Sequence, residues 1–260
     1  MNILLNGISG HMGCEVVKLC REGYRGAALV LGVDINECEG AGVPVYRDYS
    51  SVPEDAVIDC IVDFSHHCCA PAILDFARTR KIPAVIATTG HTDEEKQAII
   101  NAASYVPVFF SANMSLGIAL LVELAKTAAA AMPEAEIEII EKHHNRKLDA
   151  PSGTALMLAD AITEVRENAY PNCGRSGQGK RNPNEIGIHA IRMGNIVGEH
   201  EVIVGTQNQT LTLKHEAHSR ALFAEGALAA AAFIVDMAPG LYDMKSLVNG
   251  EARNTDYLGV

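Results

Sequence analysis

The densest group of reactive side chains lies between Glu141 and Thr154, in the sequence EKHHNRKLDAPSGT. It contains two adjacent histidines and three basic side chains, those of Lys142, Arg146 and Lys147, in a protein whose formal net charge is -11. Its last residues, Pro-Ser-Gly-Thr, are typical of a helix start, where a serine caps the helix and the amides after it lack partners within the helix. A cationic segment beside a helix N-terminus predicts a site for carboxylates or other small anions.

Histidine and lysine together suit a reduction. When a hydride adds to a C=N or C=C bond, the product needs a proton, and a histidine is the usual donor because it titrates near neutral pH. A lysine beside it would hold a substrate carboxylate and stabilise developing negative charge. Three other interpretations of the segment remain open. The two histidines could bind a metal, although no HExxH spacing is present and neighbours on an extended segment point apart; the basic residues could form a solvated surface; or Ser152 could be only a helix cap.

A second group of candidate residues is a glycine-rich turn. Gly7, Gly10 and Gly13 follow a short apolar strand and open a helical pattern. In a dinucleotide-binding turn the first glycine permits the tight turn, the second lets the backbone approach the pyrophosphate, and the third allows close packing of helix and strand. Asp34 ends the next predicted strand, about twenty residues further on, where a carboxylate binds the adenosine ribose. We therefore expect a nicotinamide dinucleotide to be bound by Asp34 and by the turn residues Gly7, Ile8, Ser9, Gly10, His11 and Met12.

The residues around Asp34 also predict which dinucleotide is preferred. Asp34 is followed by Ile35, and no arginine stands beside it to pair with a 2′-phosphate. We therefore expect NADH to be preferred, with NADPH still possible because His11 could supply partial positive charge.

Two further loops follow strands of the same predicted sheet. In open α/β sheets the ligand lies outside the carboxyl ends of the strands, so these loops are placed to line the nicotinamide and its ribose. The expected contact residues are Ala87, Thr88, Thr89, Ser111, Ala112, Asn113 and Met114.

The elements that must position these residues alternate between strand and helix in the first half of the chain. This alternation, with nearly all-apolar strands, predicts a parallel, doubly wound sheet of the Rossmann type. The predicted strands cover residues 1–6, 28–34, 56–64, 83–88 and 106–111, and the predicted helices cover 11–21, 70–79 and 93–103.

The pattern changes after Asn113, where apolar and acidic residues begin to alternate. It predicts a C-terminal α+β domain with a mixed or antiparallel sheet, covered on one face. The predicted helices cover 116–131 and 152–166; the strands cover 135–139, 186–192, 199–204 and 210–215; and a loop covers 171–184.

An apolar helix at 221–237 is expected to return to the first domain and pack on it. We therefore expect a dinucleotide-binding domain of residues 1–113 and 220–260, and a substrate-binding and oligomerisation domain of residues 114–219.

Composition narrows the class of protein. The chain has 260 residues, of which 48% are hydrophobic and 20% charged, as in ordinary globular enzymes. Its acidic balance argues against a nucleic-acid partner, and no apolar run of about 18 residues predicts a membrane span. The start has no signal-peptide pattern, and the seven cysteines show no CxxC spacing. We expect a cytoplasmic protein with reduced thiols and no metal site.

The motif His143-His144-x-x-Lys147-x-Asp149-Ala150-Pro151-Ser152-Gly153-Thr154-Ala155 resembles the signature of 4-hydroxy-tetrahydrodipicolinate reductases, also called dihydrodipicolinate reductases. The likeness extends over nearly the whole chain. It implies an NAD(P)H-dependent oxidoreductase of lysine and diaminopimelate biosynthesis that reduces 4-hydroxy-tetrahydrodipicolinate, a dianionic cyclic imine, to tetrahydrodipicolinate. It also implies a homotetramer assembled through the sheet of the second domain. Further segments that carry the likeness are 7–13, 63–65, 88–90, 113–115, 185–189, 196–200 and 240–244.

The resemblance assigns roles to individual residues. It makes His143 the proton donor, with Lys147 sharing the catalytic role, and it places the substrate carboxylates on His144, Lys147, Gly153 and Thr154. Four positions depart from the family pattern. Met114 stands where the family more often has phenylalanine, and Ala87 replaces a frequent glycine. His11 and Ile35 stand where many members carry arginine, and the lack of arginine at these two positions favours NADH.

Two other functions stay open on the sequence alone. An aldehyde dehydrogenase with a cysteine nucleophile, Cys68 or Cys69, would lose its activity when the thiols are alkylated. A non-catalytic NAD(H)-binding regulator would bind the dinucleotide without turnover, but such a protein needs neither His143 nor Lys147.

Overall fold

The structure, a computed structural model, describes residues 1–38 and 40–250, and the chain forms two compact units. One consists of Met1–Leu116 together with the chain from Ala221 onward, and the other is Gly117–Arg220. In the described part of the chain, no helix combines the length and apolarity needed to span a bilayer.

The first part of the chain alternates strands and helices, as its apolar pattern predicts. Local signals set the helix ends. Thr92 and Glu95, for example, form a capping box at the start of the third helix, and a proline stands in the first turn of the second. In order, the elements are β1 (Asn2–Asn6), α1 (His11–Arg21), β2 (Ala28–Val33), β3 (Val45–Tyr46), β4 (Cys60–Asp63), α2 (Ala70–Arg80), β5 (Ala84–Ile86), α3 (Asp93–Ala102) and β6 (Pro107–Phe110).

The second unit has two helices on one face of a sheet. Residues along its first strand are alternately buried and more exposed, which confirms the predicted period of two. The buried residues of that face pack against the helices, and Ile139 and Leu158 are fully buried there. The elements are α4 (Leu116–Ala131), β7 (Glu136–His143), α5 (Gly153–Thr163), β8 (Tyr170–Cys173), β9 (Glu185–Arg192), β10 (Gly198–Gly205) and β11 (Thr210–Ala217).

The chain then returns to the first unit with α6 (Ala221–Ile234), β12 (Gly240–Tyr242) and α7 (Met244–Asn249). Helix α6 is apolar around most of its circumference and packs on α1 and on strands β4, β5 and β6. A helix that is hydrophobic on nearly all sides must be covered on nearly all sides, and this position covers it.

The two sheets confirm the predicted fold class. The first has the order β12-β6-β5-β4-β1-β2-β3 with every neighbouring pair parallel, which is a doubly wound sheet. The second has the order β11-β10-β7-β9-β8 and is mixed, because β7 runs antiparallel to β10 and parallel to β9. Parallel strands bring their carboxyl ends to one edge, so the loops after β1, β4 and β5 are neighbours.

Several predicted boundaries were wrong. The strand predicted over 56–64 begins only at Cys60, because the backbone turns between Pro53 and Ala56 and Val57 is exposed. The predicted strand 83–88 ends at Ile86. The loop predicted from Pro171 contains β8, which pairs with β9 through its backbone despite its turn-forming residues. The short elements β3, β12 and α7 were not predicted, since so few residues carry no measurable periodicity.

Candidate active site

The glycine turn after β1 has the geometry that close approach to a phosphate requires. Gly7 has a φ of 80°, and a Cβ on it would lie 2.7 Å from the carbonyl oxygen of Phe64. A Cβ on Gly13 would lie 2.2 Å from the carbonyl oxygen of Gly7. Gly10 is the N-cap of α1 and makes no side-chain capping bond. Side chains at Gly7 and Gly13 would therefore collide with neighbouring backbone, so glycine is what allows the turn to be this tight. A tight glycine turn at a helix start without a side-chain cap fits a dinucleotide pyrophosphate.

Asp34 is tied to this turn. Its carboxylate accepts hydrogen bonds from the backbone N–H and hydroxyl of Ser9, at 2.9 and 2.7 Å, and from the Asn36 amide at 2.9 Å. Partial burial favours the protonated acid, but the bonds from Asn36 and Ser9 outweigh it and lower the pKa of Asp34. The structure thus brings two predicted residues, Ser9 and Asp34, together as an ionised site at the end of β2.

A buried carboxylate joins the loops at the carboxyl edge of the sheet. Asp63 is fully buried and accepts bonds from Asn6 Nδ2 (2.8 Å), from the amide and hydroxyl of Ser65 (3.0 and 2.5 Å) and from Thr88 Oγ1 (2.7 Å). The loops after β1, β4 and β5 are therefore held in one arrangement. The hydroxyl of Thr88, a predicted cofactor residue, is committed to Asp63.

Three predicted residues line a cleft at this edge. The cleft has a volume of about 230 Å³, and its lining residues are Phe64, Ser65, His66, His67, Ala87, Thr88 and Thr89. The first four were not predicted as site residues, although the run from Asp63 to Ser65 had already signalled the family.

The loop after β6 folds on itself. The Ser111 hydroxyl donates to the Asn113 carbonyl at 2.8 Å, and Asn113 Oδ1 accepts from the Ser115 amide at 2.9 Å. The Met114 side chain is buried, and the Met114 carbonyl approaches α6 so closely that a Cβ on Gly226 would lie 1.7 Å from its oxygen.

In the second unit the centre of the site is a buried carboxylate that the prediction did not assign. Glu141 is fully buried on β7, and its Oε2 lies 2.6 Å from His143 Nδ1. Arg192 donates to both carboxylate oxygens, at 2.7 and 2.6 Å, and the Ser152 amide donates to Oε1 at 2.9 Å. Burial favours the acid, but the bonds from Arg192, His143 and Ser152 outweigh it and hold the pKa of Glu141 below its ordinary value.

Sheet register explains these contacts. Arg192 on β9 stands directly beside His143, and His200 on β10 stands directly beside Glu141. Arg192 and His200 were both missed, because sequence gives the strands but not the register that pairs them. His200 had appeared only as part of a segment that resembles the family.

His200 is a neutral neighbour of His143. Their ring centroids are 5.2 Å apart, and His200 Nε2 lies 3.0 Å from Ser152 Oγ. Burial, followed by the effect of His143, lowers the pKa of His200 to about 4. Of the two histidines, His143 is the one hydrogen-bonded to a carboxylate, that of Glu141.

The remaining predicted residues lie around the start of α5. Ser152 caps the helix by accepting a bond from the Ala155 amide, as predicted, and Gly153 is exposed at the first turn. Lys147 Nζ lies 2.9 Å from Asp149 Oδ1. Burial and the positive charge of Arg146 lower the pKa of His144, which favours its neutral form.

The cysteine alternative gains a contact but not an activated thiol. His66 Nδ1 lies 3.2 Å from Cys68 Sγ. Desolvation and the neighbouring Cys69 nevertheless raise the pKa of Cys68, so the unreactive thiol form is favoured. Among residues 1–38 and 40–250, no group of three or more His, Cys, Asp and Glu side chains is arranged to hold a metal ion.

Known proteins resemble this chain over nearly its whole length. Two family models match, "Dihydrodipicolinate reductase, N-terminus" over residues 1–114 and "Dihydrodipicolinate reductase, C-terminus" over residues 117–248. The 4-hydroxy-tetrahydrodipicolinate reductase of Caldanaerobacter subterraneus subsp. tengcongensis is 48% identical over 252 residues, which cover 95% of this chain and 98% of that protein. The enzyme of the same name from Clostridium novyi is 40% identical and covers 96% and 98%.

A solved structure extends the match. The dipicolinate-bound dihydrodipicolinate reductase from Paenisporosarcina sp. TG-14 superposes with a TM-score of 0.79 and 26% identity, over 94% of this chain and 97% of that one. The DAP dehydrogenase of C. glutamicum, at 14% identity and a TM-score of 0.58, shares the fold alone. The family that the sequence motifs predicted is thus confirmed. This chain belongs to the dihydrodipicolinate reductases, a family of NAD(P)H-dependent oxidoreductases.

Proposed function

We propose that this protein reduces 4-hydroxy-tetrahydrodipicolinate to tetrahydrodipicolinate, in lysine and diaminopimelate biosynthesis, with His143 as the proton donor. The observation that carries the proposal is the pairing of His143 with the buried Glu141 carboxylate, next to the start of α5. In a member of this family, the arrangement would place a proton donor and an anion site in the same unit.

The first unit would hold the nicotinamide cofactor, which supplies the hydride when bound. The turn from Gly7 to Met12 would bind the pyrophosphate at the uncapped start of α1, and Asp34 would accept bonds from the adenosine ribose. The cleft at Ala87–Thr89 and the loop 111–114 would line the nicotinamide and its ribose.

NADH is the proposed preferred form. Asp34 is ionised, and the residue after it, Ile35, is 79% exposed and offers no positive charge. A 2′-phosphate placed beside Asp34 would meet its carboxylate, so NADPH should bind less tightly.

The second unit would hold the dianionic cyclic substrate. The carboxylates of the substrate would be bound by Lys147 and His144, and by the backbone at Gly153 and Thr154 at the start of α5. His143 would then protonate the carbon or nitrogen that hydride addition leaves electron-rich, and Lys147 would stabilise the negative charge of the substrate.

We also propose a cytoplasmic homotetramer assembled through the second sheet. Helices α4 and α5 cover one face of that sheet, while partly exposed apolar side chains, including Ile140 and Ile203, alternate onto the other. All seven cysteines are free, which suits a reducing compartment. Sedimentation of the purified protein as a monomer would contradict the assembly.

One assay tests the activity and the roles together. Purified protein should oxidise NADH when given freshly generated 4-hydroxy-tetrahydrodipicolinate, and should do so with higher kcat/KM than with NADPH. His143→Gln and Lys147→Ala should keep NADH affinity and lower kcat by about 10²-fold or more. The surface variant Lys96→Ala is the matched control. Unchanged kcat in both site variants would refute the assigned roles, and dinucleotide binding without turnover would favour the regulator.

A further inference from the structure

We propose that Glu141 is the positioning residue of the site: it fixes the tautomer of His143 and ties that ring to the start of α5. The inference rests on the proposed role of His143 as the proton donor.

The geometry places Glu141 at the meeting point of three elements. Its carboxylate receives His143 from its own strand, both terminal nitrogens of Arg192 from β9 and the Ser152 amide from the start of α5. A buried, ionised carboxylate can only accept hydrogen bonds. Because all of these neighbours are available as donors, the carboxylate is fully engaged and held in one orientation.

The direction of each hydrogen bond decides the chemistry of His143. Since Glu141 Oε2 only accepts, the imidazole Nδ1 must carry the proton in that bond. Nε2 is then the nitrogen left to exchange a proton with a ligand. Gly198 keeps this nitrogen uncovered, because a Cβ there would lie 3.1 Å from Nε2.

The same carboxylate sets the position of the anion site relative to the proton donor. Glu141 Oε1 accepts from the amide of Ser152, the N-cap of α5, while Oε2 meets His143. One rigid group therefore spans the proposed proton donor and the proposed carboxylate-binding helix start. Other charged or titratable groups around the pair are Arg192, which bonds Glu141, and His200, whose ring lies 5.2 Å from that of His143. His144 is the next residue, and Lys147 and Asp149 pair with each other. Glu141 is the carboxylate that bonds the His143 ring.

The decisive variant is Glu141→Gln. Whichever way the amide turns, its NH₂ group faces an Arg192 donor, and the less crowded orientation points it at His143 Nδ1. The ring must then accept at Nδ1 and carry its neutral-state proton on Nε2. We expect kcat to fall by about 10²-fold or more with KM changed only a few-fold, and the alkaline limb of the pH profile to move to lower pH.

The matched control is Glu199→Gln. Glu199 lies on β10 of the same sheet and pairs with Lys142 and Lys214 without touching His143. This variant should keep wild-type kcat and pH profile. Circular dichroism and NADH binding establish that both variants are folded.

A measurement on the wild-type protein needs no variant to fold. ¹⁵N NMR of the imidazole rings, at a pH where they are neutral, should show His143 protonated on Nδ1, and Glu141→Gln should show it protonated on Nε2. An Nε2-protonated ring in the wild type, or unchanged kcat and pH profile in Glu141→Gln, would overturn the inference. If His143→Gln itself kept full activity, the proposed function would fail, whatever the tautomer.

Discussion

Removing the cation beside Glu141 should destabilise the protein severely. Arg192 supplies two of the four hydrogen bonds to a fully buried carboxylate, and both are short and charge-assisted. Breaking a buried pair by deleting one partner leaves an uncompensated charge and costs about 3–5 kcal/mol. We therefore expect Arg192→Met, which keeps most of the side-chain volume, to lower the free energy of unfolding by about that amount, and Tm by roughly 6–20 °C.

The effect should depend on pH in a defined direction. The folded-state pKa of Glu141 is lowered, so the stability that its ionised form contributes is present above the unfolded-state pKa, about 4.3, and is lost as the pH falls through the lower folded value. In Arg192→Met the carboxylate loses its cation and its folded pKa rises. The difference between wild type and variant should thus be largest above about pH 5 and shrink below about pH 4.

The free energy of unfolding and Tm can be measured by urea and thermal unfolding. Circular dichroism is the suitable signal, because the chain has no tryptophan whose fluorescence could report unfolding. Arg78→Met is the control, since its pair with Asp75 is exposed and should be worth less than about 1 kcal/mol. The double variant Glu141→Gln/Arg192→Met removes both charges and should be more stable than Arg192→Met alone. A loss below about 1 kcal/mol in Arg192→Met, or a loss that stays constant from pH 8 to pH 4, would refute the reasoning.

Two further predictions concern the glycine turn and the buried histidine. Gly13→Ala should weaken NADH binding at least 10-fold in a fluorescence titration, because the added Cβ would lie 2.2 Å from the Gly7 carbonyl oxygen and distort the turn. Gly179→Ala is the control, since a Cβ there meets no atom within 4 Å and should leave the affinity unchanged. Equal NADH affinities in the two variants would contradict the role of the glycine turn in dinucleotide binding. His200 has a pKa of about 4, below the unfolded value of about 6.5, so wild-type stability should fall as the pH drops from 6.5 towards 4. His200→Gln should flatten that slope in urea unfolding, and an unchanged slope would show that another group is responsible.

Much of the fold could be predicted because its signals are local. Strand β1, the glycine turn and α1 are adjacent in sequence, and the period of two along β7 announces a sheet with one covered face. Helix α4 was predicted with its observed bounds, Leu116–Ala131, since sixteen residues give periodicity enough to read. The errors lie in short elements, because two to six residues are too few to show a periodicity.

The candidate site was only partly predictable, for a different physical reason. His143, Lys147 and Ser152 lie within one segment and could be read together. Arg192 and His200 reach Glu141 through sheet register, and register follows from which residues of distant strands face each other, which no single segment encodes. Thr88 depends on a long-range contact in the same way, because its hydroxyl donates to the carboxylate of Asp63, 25 positions earlier in the chain.

Both units solve the same positioning problem with a fully buried carboxylate, yet their partners differ. Asp63 joins three strand ends through the neutral donors Asn6, Ser65 and Thr88, which suits a part of the site that holds loops in place. Glu141 has a cation and an imidazole as partners. Arg192 balances its negative charge, and its second oxygen is also hydrogen-bonded to His143. An asparagine could replace Asp63 with modest loss, because its oxygen can face Asn6 and Ser65 while its NH₂ group faces the Thr88 hydroxyl, which can accept. A glutamine could not replace Glu141 in this way, because Arg192 donates to both oxygens and cannot accept.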